Sequence, residues 1–317
     1  MRVIIPLVVI LLTPIAAGAQ KLTPWGDPDL QGVWTNQTPV PLERPVALGG
    51  KTFFTEQEAE EFERGALTRL LGLTAAEVAL SGELNGIWLE TQDGKVAPNR
   101  RTSLVVDPID GRIPYTEEGW KRWSAVPSVE RLLTTGPLAA NGPEDRTPAE
   151  RCLTTDGLPI PNPFYNNFHQ IIQTQGYVAI LTEMMHEVRI IPLDRRPHVG
   201  DGVRQWLGDS RGWWEGQTLV IETTNFNDKR LLRGSTQNLR LVERFTRRDD
   251  KAIDYRVTVT DPATFGEPWT IENALRQPGA QMYEVACHEG NYGLAAILSG
   301  ARADERRKEL SESFDIP

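Results

Sequence analysis

His169, His186, His198 and His288 are the chain's four histidines, and Glu243, Asp261 and Glu289 are carboxylates set in or beside apolar, strand-like runs. An imidazole beside a carboxylate in a water-poor pocket forms a general acid–base pair. The neighbouring charge selects one tautomer and tunes proton affinity towards the working pH. His169, His186, Glu243, Asp261, His288 and Glu289 are the candidate catalytic residues on that argument. The plainer alternative for any one of them is a hydrogen-bonded core or rim histidine, or a carboxylate in a structural ion pair. His198 follows Arg195-Arg196-Pro197 and reads as a surface loop residue. Three histidines with a carboxylate can also hold zinc or iron. Neither HExxH nor HxH occurs, so such ligands would have to come from separate strands, and no metal and no cofactor is expected. P-loop and dinucleotide fingerprints are absent, which leaves nucleotide use without positive support.

The elements that must position these groups lie in 168–289, where apolar and polar residues alternate with period two and turn residues punctuate the runs. Gln175-Gly176, Glu215-Gly216-Gln217 and Arg248-Asp249-Asp250-Lys251 are the turn signals. Strands are expected at 239–247, 253–261, 269–275 and 282–288, besides the pair around Gln175-Gly176. With a two-residue turn there, Ile171, Val178, Ile180, Met184, Val188 and Ile190 share an inward face with His169, His186, Gln173 and Thr182. Gln170, Thr174, Glu183, Glu187 and Arg189 then read as solvated. In the later pair, Leu239, Leu241 and Phe245 face inward with Glu243, opposite Ile253, Tyr255, Val257 and Val259, and Asp261 ends that face. A buried carboxylate is costly alone, so Glu243 should meet a His, Arg or Tyr donor. His288 and Glu289 stand in Cys287-His288-Glu289-Gly290-Asn291 at an expected barrel rim. Asp209-Ser210-Arg211-Gly212-Trp213-Trp214-Glu215-Gly216 reads as a dense polar–aromatic turn whose Arg and Asp can pair locally while its tryptophans cover a barrel end.

Before the alternating region the pattern is different. Arg2, an apolar run to Leu12 and Ala17-Gly18-Ala19 make 1–19 read as a secretory signal peptide. Residues 20–150 read as an irregular arm with short helices: one opened by Thr55 with Glu58 three residues on, one near 75–84, and one opened by Thr116-Glu117-Glu118. Residues 151–317 form the expected barrel domain, ending in a helix over 292–310. Cys152 and Cys287 are the only cysteines, and an oxidising compartment permits either a bridge or two separate buried thiols. Forty-three acidic against 34 basic residues, net −9, argue against a general nucleic-acid binder. No segment after the signal is long and apolar enough to span a bilayer.

The fold expectation is a mainly β protein, an antiparallel lipocalin-like barrel or curved meander with an N-terminal arm, short helices and a C-terminal helix. The stretches Pro28-Asp29-Leu30-Gln31-Gly32-Val33-Trp34, Gly208 to Phe226 and Cys287-His288-Glu289-Gly290-Asn291-Tyr292-Gly293 resemble a family of exported bacterial proteins. The resemblance implies export and carries over neither an activity nor a catalytic residue. The functional expectation is a periplasmic or secreted enzyme acting on a small, partly apolar molecule by His/carboxylate chemistry, as a lyase, isomerase or hydrolase. The alternative is a non-catalytic lipocalin-like barrel that binds a small molecule.

Overall fold

The structure is a computed structural model that describes residues 21–65, 96, 99–125, 139–154, 166–229, 232–279 and 281–314. The signal-like segment and the helix expected near 75–84 lie outside the described residues. The molecule is mainly β. Ten strands form one antiparallel, nearly closed, barrel-like sheet: β1 (Gly32–Thr35), β2 (Val105–Asp107), β3 (Phe168–Thr174), β4 (Tyr177–Thr182), β5 (Glu187–Pro192), β6 (Asp209–Glu215), β7 (Thr218–Thr224), β8 (Arg240–Arg247), β9 (Ala252–Thr260) and β10 (Trp269–Arg276). The order is β5-β4-β3-β1-β10-β9-β8-β7-β6, with β2 also on β10. Two meanders, β3–β5 and β6–β10, are thus joined through β1. The period-two runs explain both meanders, because alternation puts one apolar row of each strand into a shared interior. Ile171, Val178, Ile180, Ile191, Ile221, Leu241, Phe245, Val257 and Ile271 fill it and are essentially water-free. Each such side chain contributes roughly 1.5–3 kcal/mol by leaving water.

The sheet's two end strands, β5 and β6, lie side by side, and Gly212 makes this approach possible. A Cβ there would sit 2.7 Å from Leu193 Cδ2 and 2.9 Å from Ile191 Cγ2. Beside the barrel stand helices α1 (Glu56–Arg64), α2 (Glu117–Ala125) and α3 (Tyr292–Phe314). Thr55 and Glu58 form a complete capping box on α1. Thr116 Oγ1 accepts from the Gly119 amide at the start of α2. Both N-termini therefore follow the sequence signals.

Four expectations change. Residues 32–35 and 105–107, read as irregular arm, are strands of the same sheet. Trp34 is fully buried, donates from Nε1 to the Leu30 carbonyl at 2.9 Å, and lies 5.5 Å under the Arg247 guanidinium. Residues 209–215, read as a turn, are β6. Residues 282–288 form no strand; they run irregularly to a turn that opens α3. Finally, the inward face of the first meander switches parity at a second hairpin. Met185 (φ 59°) and His186 (φ 40°) turn the chain, and Thr182 pairs with Glu187. Cross-strand partners share a face, so Glu187, Arg189 and Ile191 point inward, and Val188 and Ile190 point out.

Cys152 and Cys287 are bridged, joining the 139–154 segment to the turn before α3 across 135 residues. Arg302 on α3 adds hydrogen bonds to the Ala140 and Asn141 carbonyls at 3.0 and 2.8 Å. The bridge and these bonds tie the helix to the 139–154 segment. Reduction, or Cys152→Ser with Cys287→Ser, should lower unfolding free energy by about 2–5 kcal/mol. Urea denaturation with and without reductant measures this, and protease nicking should begin near 281–291.

Candidate functional site

Two polar constellations sit on opposite faces of the β6–β7 pair. The inner one is built around Arg189, which the parity switch aims into the barrel. Its Nη1 donates to Glu243 Oε1 at 3.0 Å and its Nη2 to Glu243 Oε2. Nη2 also reaches Thr223 Oγ1 at 3.2 Å and Ser210 Oγ at 3.4 Å, and these two hydroxyls are 2.9 Å apart. Tyr255 donates to Glu243 Oε1 at 3.2 Å. Glu243 is 0% exposed and meets the Arg and Tyr donors that its burial demanded. Burial pulls the proton affinity of Arg189 down, but the Glu243 carboxylate more than reverses this, so the guanidinium stays charged. Burial, then the adjacent Glu243 charge, pushes the Tyr255 phenol well above its ordinary range. Both Glu243 oxygens are thus occupied by the bidentate arginine and the tyrosine, as in a structural ion pair.

His169, on β3 opposite Trp34, shares this interior. Its Nδ1 lies 3.2 Å from Thr182 Oγ1, and its buried Nε2 has no hydrogen-bond partner. Burial, then the Arg189 charge, pushes the imidazole down to about 3, so it is neutral at pH 7.

The other predicted residues are elsewhere. Asp261, 1% exposed, caps a loop: it accepts from Thr236 N and Oγ1, Ala263 N and Thr264 Oγ1. His186 does not face inward; it is exposed on the 184–186 turn, with Nδ1 3.1 Å from the Val285 carbonyl. His288 and Glu289 lie exposed on the turn before α3, because the strand that would have carried them to a rim does not form. Of the six candidates, only His169 and Glu243 share the barrel interior.

The outer constellation centres on His198, which the sequence reading set aside as a loop residue. Its Nδ1 is 2.8 Å from Asp209 Oδ2 on β6, and its Nε2 is 3.3 Å from Glu222 Oε1 on β7. Arg211 pairs with Asp209 Oδ1 at 2.7 Å, the local pairing expected from the sequence, and Arg240 pairs with Glu222 Oε2 at 2.5 Å. Asn225 Nδ2 donates to the Val199, Gly200 and Val203 carbonyls at 3.1–3.2 Å, and Val199 N donates to Asp209 Oδ2 at 3.1 Å. The loop that carries the imidazole is therefore held by the polar residues of the 208–226 stretch. His198 opens on a solvent-connected cavity of about 640 Å³, with Asp201, Arg204 and Arg240 also on its wall. Among the described residues, no group of three or more His, Cys, Asp and Glu side chains is placed to hold a metal ion.

Sequence reasoning missed Arg189, Ser210, Thr223 and Tyr255 as a unit, and His198 with its carboxylates. Asp209, Arg211 and Glu222 gave a usable signal: three charges on one face of two neighbouring strands. The chain matches no family model, no curated protein and no solved structure.

Removing one partner of the inner pair leaves the other charge buried and alone. Glu243→Leu should cost about 3–5 kcal/mol, and Arg189→Met with Glu243→Leu should cost less than the single change, read by urea denaturation. His169 adds a pH dependence. Between about pH 3 and its ordinary value of 6.5, the unfolded chain binds a proton that the folded chain does not. Stability therefore rises with pH across that window, by up to roughly 4–5 kcal/mol. His169→Gln should remove that component of the unfolding free energy's pH profile.

Proposed function

We propose that the protein is an exported enzyme that moves a proton on a small molecule bound in the cavity beside His198. One observation carries the reading: an imidazole at 2.8 Å from a carboxylate that fixes its orientation, on the wall of an open cavity. This keeps the acid–base chemistry expected from the sequence and gives it to a different histidine. Asp209, itself steadied by Arg211, holds His198 Nδ1 and stabilises the imidazolium that forms when Nε2 takes a proton. Glu222 stands 3.3 Å from Nε2 and is drawn towards Arg240, so a substrate hydroxyl, water or acidic C–H can replace it at the ring nitrogen. Arg240 and Arg204 supply positive charge at the cavity for an anion that develops on the substrate. Hydrolysis, isomerisation and elimination all need this one proton transfer.

Export is supported by the signal-like start of the chain and by the Cys152–Cys287 bridge, which an oxidising compartment maintains. A second reading, a non-catalytic small-molecule binder, draws on the other imidazoles. His169 is hydrogen-bonded to Thr182 and His186 to a backbone carbonyl, and Glu243 is saturated by its donors.

The test is a panel of small esters, lactones and enolisable ketones, followed by proton release and by deuterium uptake from solvent. His198→Gln and Asp209→Asn should each cut turnover by roughly 10²–10⁴-fold while His169→Gln preserves it. Undiminished turnover in His198→Gln overturns the assignment. Saturable binding by the unmodified chain, without turnover of any panel member, favours the binder.

A further inference from the structure

We infer that a groove on the outer face of β8–β10 is a binding site for a small oxyanion, separate from the His198 cavity. The groove holds about 340 Å³ and is walled by the 38–40 and 99–104 segments. Four arginines line it, Arg101, Arg244, Arg248 and Arg256, with three carboxylates in contact with them: Asp254 on Arg248, Glu272 on Arg256 and Arg101, and Glu215 on Arg244. The chain as a whole is acidic, net −9, so this excess is local.

The placement of two of these arginines carries the inference. Arg244 on β8 and Arg256 on β9 are direct cross-strand partners. Side chains so paired start about 4.5–5.5 Å apart, and like charges there destabilise the sheet. Each guanidinium has one carboxylate, and in each case it comes from the flank. Glu215 takes Arg244 at 2.7 Å, and Glu272 takes Arg256 at 3.3 Å while also standing 3.7 Å from Arg101. Among the described residues, the ion pairs of Arg244 and Arg256 run outward to these two flanking carboxylates. An oxyanion between the two arginines accepts charge-assisted hydrogen bonds from both and relieves their repulsion. Arg101 is itself steadied, with its guanidinium 5.2 Å above the Phe53 ring.

The volume lies at the low end for ligand pockets and suits a small molecule. A nucleic-acid or other polyanionic chain would need a basic surface that this protein lacks. The ligand class is a small molecule bearing paired oxyanions, either a phosphate ester or a polycarboxylate.

Thermal unfolding and isothermal titration at low salt, on the full chain, test this with two probes: inorganic pyrophosphate and citrate. At least one probe should raise the unfolding midpoint of the unmodified chain. In Arg244→Gln with Arg256→Gln, the midpoint without anion should be unchanged or higher, since a repulsion is gone, and the probe-induced rise should be lost. Arg256→Gln alone should weaken binding by about tenfold, and Arg307→Gln on exposed α3 should leave it unchanged. Response to pyrophosphate alone assigns a phosphate ligand, and to citrate alone a carboxylate. The inference fails if neither probe shifts the unmodified chain, or if the double variant keeps the full shift.

Discussion

A charge can be kept inside a barrel only if its partner is there too, and the Arg189–Glu243 pair imposes that condition on this fold. Arg189 comes from one end of the sheet order and Glu243 from the other meander. Their bidentate contact, with Ser210, Thr223 and Tyr255 around it, links β5 to β6, β7, β8 and β9 without any β5–β6 ladder. An apolar interior would close as readily and cost less desolvation. What the pair adds is a requirement of position, because a slip of β5 by one residue would put the guanidinium in solvent and leave Glu243 buried without it.

The same constraint orders the outer site. Ser210 and Thr223 face Arg189, so Asp209, Arg211 and Glu222, their neighbours in sequence, must face out. There Asp209 and Glu222 take the two nitrogens of His198, and Asn225 gathers the carbonyls of the loop that carries it. A strand pair that is polar on both faces is an unusual use of sheet. In this molecule one face stabilises closure and the other fixes an imidazole at an open cavity.

The outer face of β8–β10 continues the theme with different chemistry. Its ion pairs are half-exposed, so each contributes little to stability. Their arrangement matters more than their number: Arg244 and Arg256 are cross-strand neighbours, and the carboxylates that pair with them stand on opposite flanks.

Much of this was already fixed by local sequence. Period-two runs determined the hairpin around Gln175-Gly176 and the strands near 239–247, 253–261 and 269–275, and Glu215-Gly216-Gln217 marked a further turn. Thr55, Glu58 and Thr116 determined helix starts, and the burial of Glu243 determined the kind of partner it would have. Such features depend on neighbours a few residues apart, and the chain displays those directly. Tertiary structure decided the rest. The turn at Met185–His186 reversed the face of β5 and brought Arg189 inside; a four-residue segment, Gly32–Thr35, closed the gap between two meanders; and packing of β6 and β7 against the loop at 198–205 set His198, which is not among the six predicted acid–base residues, between two carboxylates. These outcomes turn on contacts between residues far apart in the chain, whose sum settles which face is buried, and no local pattern encodes that sum.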